Sequence, residues 1–137
     1  MTPADERRLQ ETYRREYRSL LQYVREASPY ANAADRPLRD AVLRIATDEG
    51  DALTRFGDVL EDSRITLPYL GSFPVAFTDL NFVTIRHLLP KLVAEQKQDI
   101  AWLESQVPAC EDVTARAAIQ RLVDLHKTHS KELESLG

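Results

Sequence analysis

Along most of the chain, apolar residues recur at intervals of three and four, the spacing of one face of an α-helix. The first such run predicts a helix from about Asp5 to Ala27, with Leu9, Tyr13, Glu16, Leu20, Tyr23 and Ala27 on one face. Ser28-Pro29 stops it. A second run predicts a helix from Asp35, with Asp35 as N-cap and Pro37 in the first turn, to about Ser63. Its stripe is Leu38, Val42, Ile45, Glu49, Ala52, Phe56 and Val59. A third helix is predicted from about Asp79, capped by Thr78, to Gln106, with a bend before Pro90. Its stripe, Ile85, Leu88, Leu92, Glu95, Asp99, Trp102 and Leu103, is less regular. A fourth helix follows Asp112 or Thr114, presents Ala115, Ile119, Leu122, His126, His129, Leu133 and Leu136, and ends at Gly137.

The connections set the topology. Short gaps join the first helix to the second and the third to the fourth, so each pair is an antiparallel hairpin. The middle segment, Arg64 to Thr78, carries two prolines and a glycine and has no helical period. A helix of about 28 residues is ~42 Å long, and about 15 extended residues reach ~50 Å. The segment can therefore cross from one end of a bundle to the other. These lengths predict one all-α domain over residues 1–137, an antiparallel four-helix bundle with a long crossover between helices 2 and 3. The apolar run Leu67 to Phe77 either packs along the bundle as that crossover or forms the interface of a homodimer.

Composition narrows the functional classes. A net charge of −4 with both signs interleaved leaves no basic face for phosphates, which argues against nucleic acid as a partner. No apolar run is long enough to span a bilayer, and no charged-then-apolar leader opens the chain, so the cytoplasm is the expected compartment. The single cysteine, Cys110, excludes an intrachain disulfide and a CxxC metal knuckle.

The stripes carry polar residues where a core should be apolar. Glu16, Glu49 and the pair His126 and His129 interrupt helices 1, 2 and 4 near their middles. In helix 3 the central place goes to Glu95, with Asp99 and Gln96 as competitors. Antiparallel packing brings these residues to one level. A buried carboxylate is costly alone, but several beside imidazoles are tolerated when a cation or protons sit among them. The halves also echo each other: Glu16 precedes Tyr23 by seven residues, as Glu95 precedes Trp102. In helix 2, Glu49 with Ala52 is preferred over Asp48 with Asp51, because Asp51 falls far from the apolar stripe.

On these residues the chain resembles the ferritin-like superfamily, especially its rubrerythrin-like members. The resemblance implies a four-helix bundle with a carboxylate-bridged di-iron or di-manganese centre. Each half would supply one Glu and one Glu-x-x-His pair. By that pattern Glu16 and Glu95 match the lone glutamates, Glu49 the first pair's Glu, and His129 the second pair's His. Ala52 stands where a His belongs, and His126 where a Glu belongs. Glu16, Glu49, Glu95, His126 and His129 then offer donors for one divalent ion, iron or another such as manganese or zinc, rather than two. The expected function is metal binding, with oxidoreductase chemistry or metal handling. Two other readings stand beside it: a metal-free degenerate bundle acting as a binding or structural module, and a small-ligand pocket anchored by the Glu and His residues.

Overall fold

In the computed structural model, which describes Met1–Gly137, the first helix opens with Thr2 accepting a hydrogen bond from the Asp5 amide, and Pro3 occupies its first turn. Helix α1 (Pro3–Tyr17) then breaks, and α2 (Leu20–Ala27) follows. The single helix expected from Asp5 to Ala27 is thus two. Ser19 makes the break: its backbone is extended and its hydroxyl accepts from the Gln22 amide, restarting the helix. The break rotates the inward face, so α2 buries Leu20, Leu21 and Val24 while Ala27 is exposed.

Helix α3 (Arg36–Asp62) and helix α5 (Val113–Ser135) lie where their stripes place them. Asp112 caps α5 through the Ala115 amide at 3.1 Å. Asp35 precedes α3 as expected but makes no side-chain cap, because Arg86 takes its carboxylate at 2.9 Å. Helix α4 runs Ile85–Gln106, not from Asp79. Thr78 lies in a 3₁₀ segment, Val75–Leu80, and bonds back to the Val75 carbonyl instead of capping a helix. Pro90 does not interrupt α4.

Two apolar clusters form the core. One contains Leu9 of α1, Leu53, Phe56 and Leu60 of α3, Leu103 of α4 and Ile119 and Leu122 of α5. The other contains Leu20 and Val24 of α2, Val42 and Ile45 of α3, Leu88 and Leu92 of α4 and Leu133 of α5. Residue order through the clusters gives each helix's direction. The α1–α2 arm and α5 run from the first cluster to the second, and α3 and α4 run from the second to the first. Two antiparallel hairpins are therefore joined by a crossover that returns the chain along the whole bundle. The crossover lies on the α1–α2 arm: Gln10 bonds the Thr66 carbonyl, Arg18 the Ser72 carbonyl, and Tyr23 packs edge-on against Phe73. Phe77, Leu80 and Val83 then pack on the second cluster. Tyr69 and Val75 of the same run face outward. There is no sheet, and no helix is long and apolar enough to cross a membrane.

Candidate metal centre

Between the two apolar clusters lies the polar layer. Glu16, Glu49, Gln96, His126 and His129 are all buried there, and Asp99 is largely so. Along each helix, or across the α1–α2 break, they fall between residues of the two clusters. Glu16 sits in the last turn of α1, and its carbonyl accepts from the Ser19 amide at the break.

His126 is the hub. Its Nε2 lies 2.8 Å from Glu16 Oε2 and 3.2 Å from Asp99 Oδ2, and its Nδ1 lies 3.3 Å from Glu49 Oε2. His129 Nδ1 meets the same Glu49 oxygen at 2.8 Å, while its Nε2 faces Asp48 Oδ2 at 3.7 Å. Gln96 donates to Glu49 Oε2 at 2.7 Å. Two groups of metal-ligating atoms result, Glu49 with His126 and His129, and Glu16 with Asp99 and His126; within each, the atoms lie within 4.8 Å of one another. Two buried atoms in the layer have no hydrogen-bond partner, Glu16 Oε1 and His126 Nδ1.

The protons are distributed unevenly. Burial pushes the Glu16 carboxyl up to about 8, with the neighbouring Asp99 charge adding to it. Asp99 goes the other way despite its own burial, held low by His126 and by the hydrogen bond with Glu16, so of this pair Glu16 keeps the proton. Burial would also raise Glu49, but His126, His129 and Gln96 outweigh it and hold the carboxyl at about 2. The His126 imidazole, which burial would deprotonate, is raised well above its ordinary value by Glu49, Asp99 and Glu16. Without a metal the hub is an imidazolium between anionic carboxylates.

Four of the five sequence-predicted residues, Glu16, Glu49, His126 and His129, thus meet in this layer; Asp51 is exposed as the preferred register requires, while Ala52 is half-buried and Leu53 takes the core position after Glu49. Glu95 does not join them: it is exposed and belongs to neither group. Helix α4 contributes Gln96 and Asp99 instead. Two stripes run through Leu92 at helical spacing, one by Glu95 to Trp102 and one by Gln96 to Leu103. Full burial of Leu103 selects the second, because Trp102 stays at the edge under the Arg15 guanidinium at 4.4 Å. Periodicity alone cannot separate them. Asp48 was legible only as the rival register, yet it approaches His129 while Glu49 stays central.

The layer thus holds buried Glu, Asp and His groups positioned to chelate a metal ion in the core of a helical bundle. No protein-family description, curated protein or solved structure matches the chain.

Proposed function

We propose that this chain is a ferritin-like metal-binding bundle that holds one divalent first-row ion, iron, manganese or zinc, on Glu49, His126 Nδ1 and His129 Nδ1. The observation that carries the reading is the orientation of the two rings. Each turns its Nδ1 toward Glu49 and its Nε2 toward a further carboxylate, Glu16 and Asp99 for His126 and Asp48 for His129. A metal-bound histidine typically donates its other ring nitrogen to a carboxylate, which fixes the ring and strengthens the ligand. His126 Nδ1, buried without a hydrogen-bond partner, is the atom such an ion would satisfy. Gln96 holds the third ligand, Glu49, in place. Glu16 acts on this reading as the partner of a ligand rather than as a ligand.

A bound ion would supply Lewis acidity or redox change, and three protein ligands leave positions for water or a small substrate. The chain's own residues would hold the ion between two apolar clusters and release the His126 Nδ1 proton as it enters, leaving the Nε2 proton to its carboxylate partners. This arrangement suits metal handling or oxidoreductase chemistry on oxygen or peroxide.

The test is direct. Protein prepared without chelator and challenged with Fe(II), Mn(II) and Zn(II) should retain a single ion per chain by elemental analysis. His126→Ala with His129→Ala should abolish retention, and Ala52→His should strengthen it. Metal-free protein under every challenge would remove the reading. A second reading would then stand, in which the layer is a metal-free polar network and the bundle a binding or structural module. It is favoured by the layer's charge balance: imidazolium and the Arg15 guanidinium offset Glu49 and Asp99 while Glu16 is protonated.

A further inference from the structure

A cavity of about 180 Å³ opens on the polar layer from the α4 side. Glu49, Gln96 and Asp99 line it, as do Arg15, Glu95 and Gln98, and Pro74 and Phe77 of the crossover form one wall. At ~30 Å³ per water, it has room for about six, enough for an ion still carrying part of its hydration shell. Its carboxylates are graded in burial. Glu95 is exposed, the Asp99 side chain is 17% exposed, and that of Glu49 is 4% exposed. Glu95 and Asp99 are four residues apart on α4 and therefore share one face.

We infer that this cavity is the route by which a divalent cation reaches the core, with Glu95 capturing it at the mouth and Arg15 guarding the passage at Asp99. The inference rests on the metal-binding reading above. A dication leaving water needs negative charge at each stage of its dehydration, and the three carboxylates supply it in order of depth. Arg15 works against entry: its Nε lies 3.2 Å from Asp99 Oδ1 and its guanidinium stacks over Trp102, placing a fixed positive charge beside the path. It must swing off Asp99 for an ion to pass, and both side chains reach solvent, so the movement needs no rearrangement of the core. Glu95 thereby acquires a role distinct from that of a ligand. It raises the local cation concentration and is left behind when the ion settles on Glu49, His126 and His129.

Rapid mixing with Co(II), followed by its visible absorption, separates rate from capacity. Glu95→Gln should slow loading several-fold, weaken its dependence on ionic strength, and leave the final absorbance unchanged. Arg15→Gln should speed loading several-fold. Glu104→Gln, an exposed carboxylate on α4 that pairs with Lys127 away from the cavity, should change neither. Equal rates for Glu95→Gln and the unsubstituted chain would overturn the route. So would loss of final absorbance in Glu95→Gln, which would make Glu95 a ligand. The absence of uptake by the unsubstituted chain of Co(II), and of Fe(II), Mn(II) and Zn(II) by elemental analysis, would instead remove the metal reading itself, and the route with it.

Discussion

At the scale of single residues the decisive feature is who holds the protons around His126, and it makes the metal-free chain's stability depend on pH in a definite direction. Glu16 has an ordinary value of 4.5 and a native value of about 8. Between those limits the native state keeps a proton that the unfolded state releases, so stability falls as pH rises. His126, ordinarily at 6.5 and raised in the native state, adds stability that is present below 6.5 and lost as pH climbs through its native value. Glu49 acts oppositely: its contribution is complete above 4.5 and disappears as pH falls toward about 2. Thermal melts of metal-free protein should therefore show a maximum near pH 5 and a falling midpoint through pH 8. Glu16→Gln, neutral at every pH and able to donate to Asp99 as protonated Glu16 does, should flatten much of that fall. An unchanged pH profile in this variant would show that Glu16 is not the group responsible. The residue types and their level were legible in the stripes, because a carboxylate amid leucines at helical spacing has few explanations. The proton distribution was not, because it depends on which atom of each ring faces which carboxylate.

At the scale of elements, helix ends depend on local chemistry that periodicity overlooks. The break in the first helix is written in the sequence as Ser19-Leu20-Leu21-Gln22, the spacing of a capping box, although Gln22 sends its side chain to the Ala46 carbonyl instead of back to Ser19. Ser19→Ala should cost about 1 kcal/mol in urea unfolding. Helix α3 ends with Arg64 in the left-handed region at φ 58°, the Ile65 amide on the Leu60 carbonyl and the Arg64 amide on that of Glu61. This is the Schellman arrangement, in which glycine is the usual residue at the Arg64 position. Arg64 is exposed and forms no ion pair. Arg64→Gly should therefore stabilise the chain by about 0.5–1 kcal/mol, relief of left-handed strain exceeding the added chain entropy. Destabilisation instead would mean that the arginine makes contributions beyond its backbone. The start of α4 was misread because Thr78-Asp79 looks like a helix opening, whereas the 3₁₀ segment ends at Leu80 and the helix begins only after Thr84.

At the scale of the whole molecule, the layer is a costly way to build a bundle. It divides what could be one apolar core into two clusters, and it buries two carboxylates and two imidazoles between them, with Asp99 at the edge. Removing one member of such a network leaves the others uncompensated, typically at ~3–5 kcal/mol. Replacing all of them with apolar residues of similar volume is often neutral or stabilising by ~1–4 kcal/mol, because no desolvated charge remains. The crossover and the two hairpins, legible from connection lengths and stripes, do not need the layer: Leu20, Leu21 and Val24 at one end and Leu9, Leu53 and Phe56 at the other already fix which faces meet. A variant carrying Glu16→Met, Glu49→Met, Gln96→Met, Asp99→Leu, His126→Leu and His129→Leu should thus fold to the same helical content with a continuous core. In chelator its midpoint should equal or exceed that of the unsubstituted chain, and it should lose the fall in stability toward pH 8. Added Zn(II) should raise the midpoint of the unsubstituted chain and leave the variant's unmoved, since an ion stabilises only the state that binds it. A variant that fails to fold cooperatively would show that the layer specifies the bundle's register. If the parent's midpoint gains nothing from Zn(II), Fe(II) or Mn(II), the layer has no metal to hold.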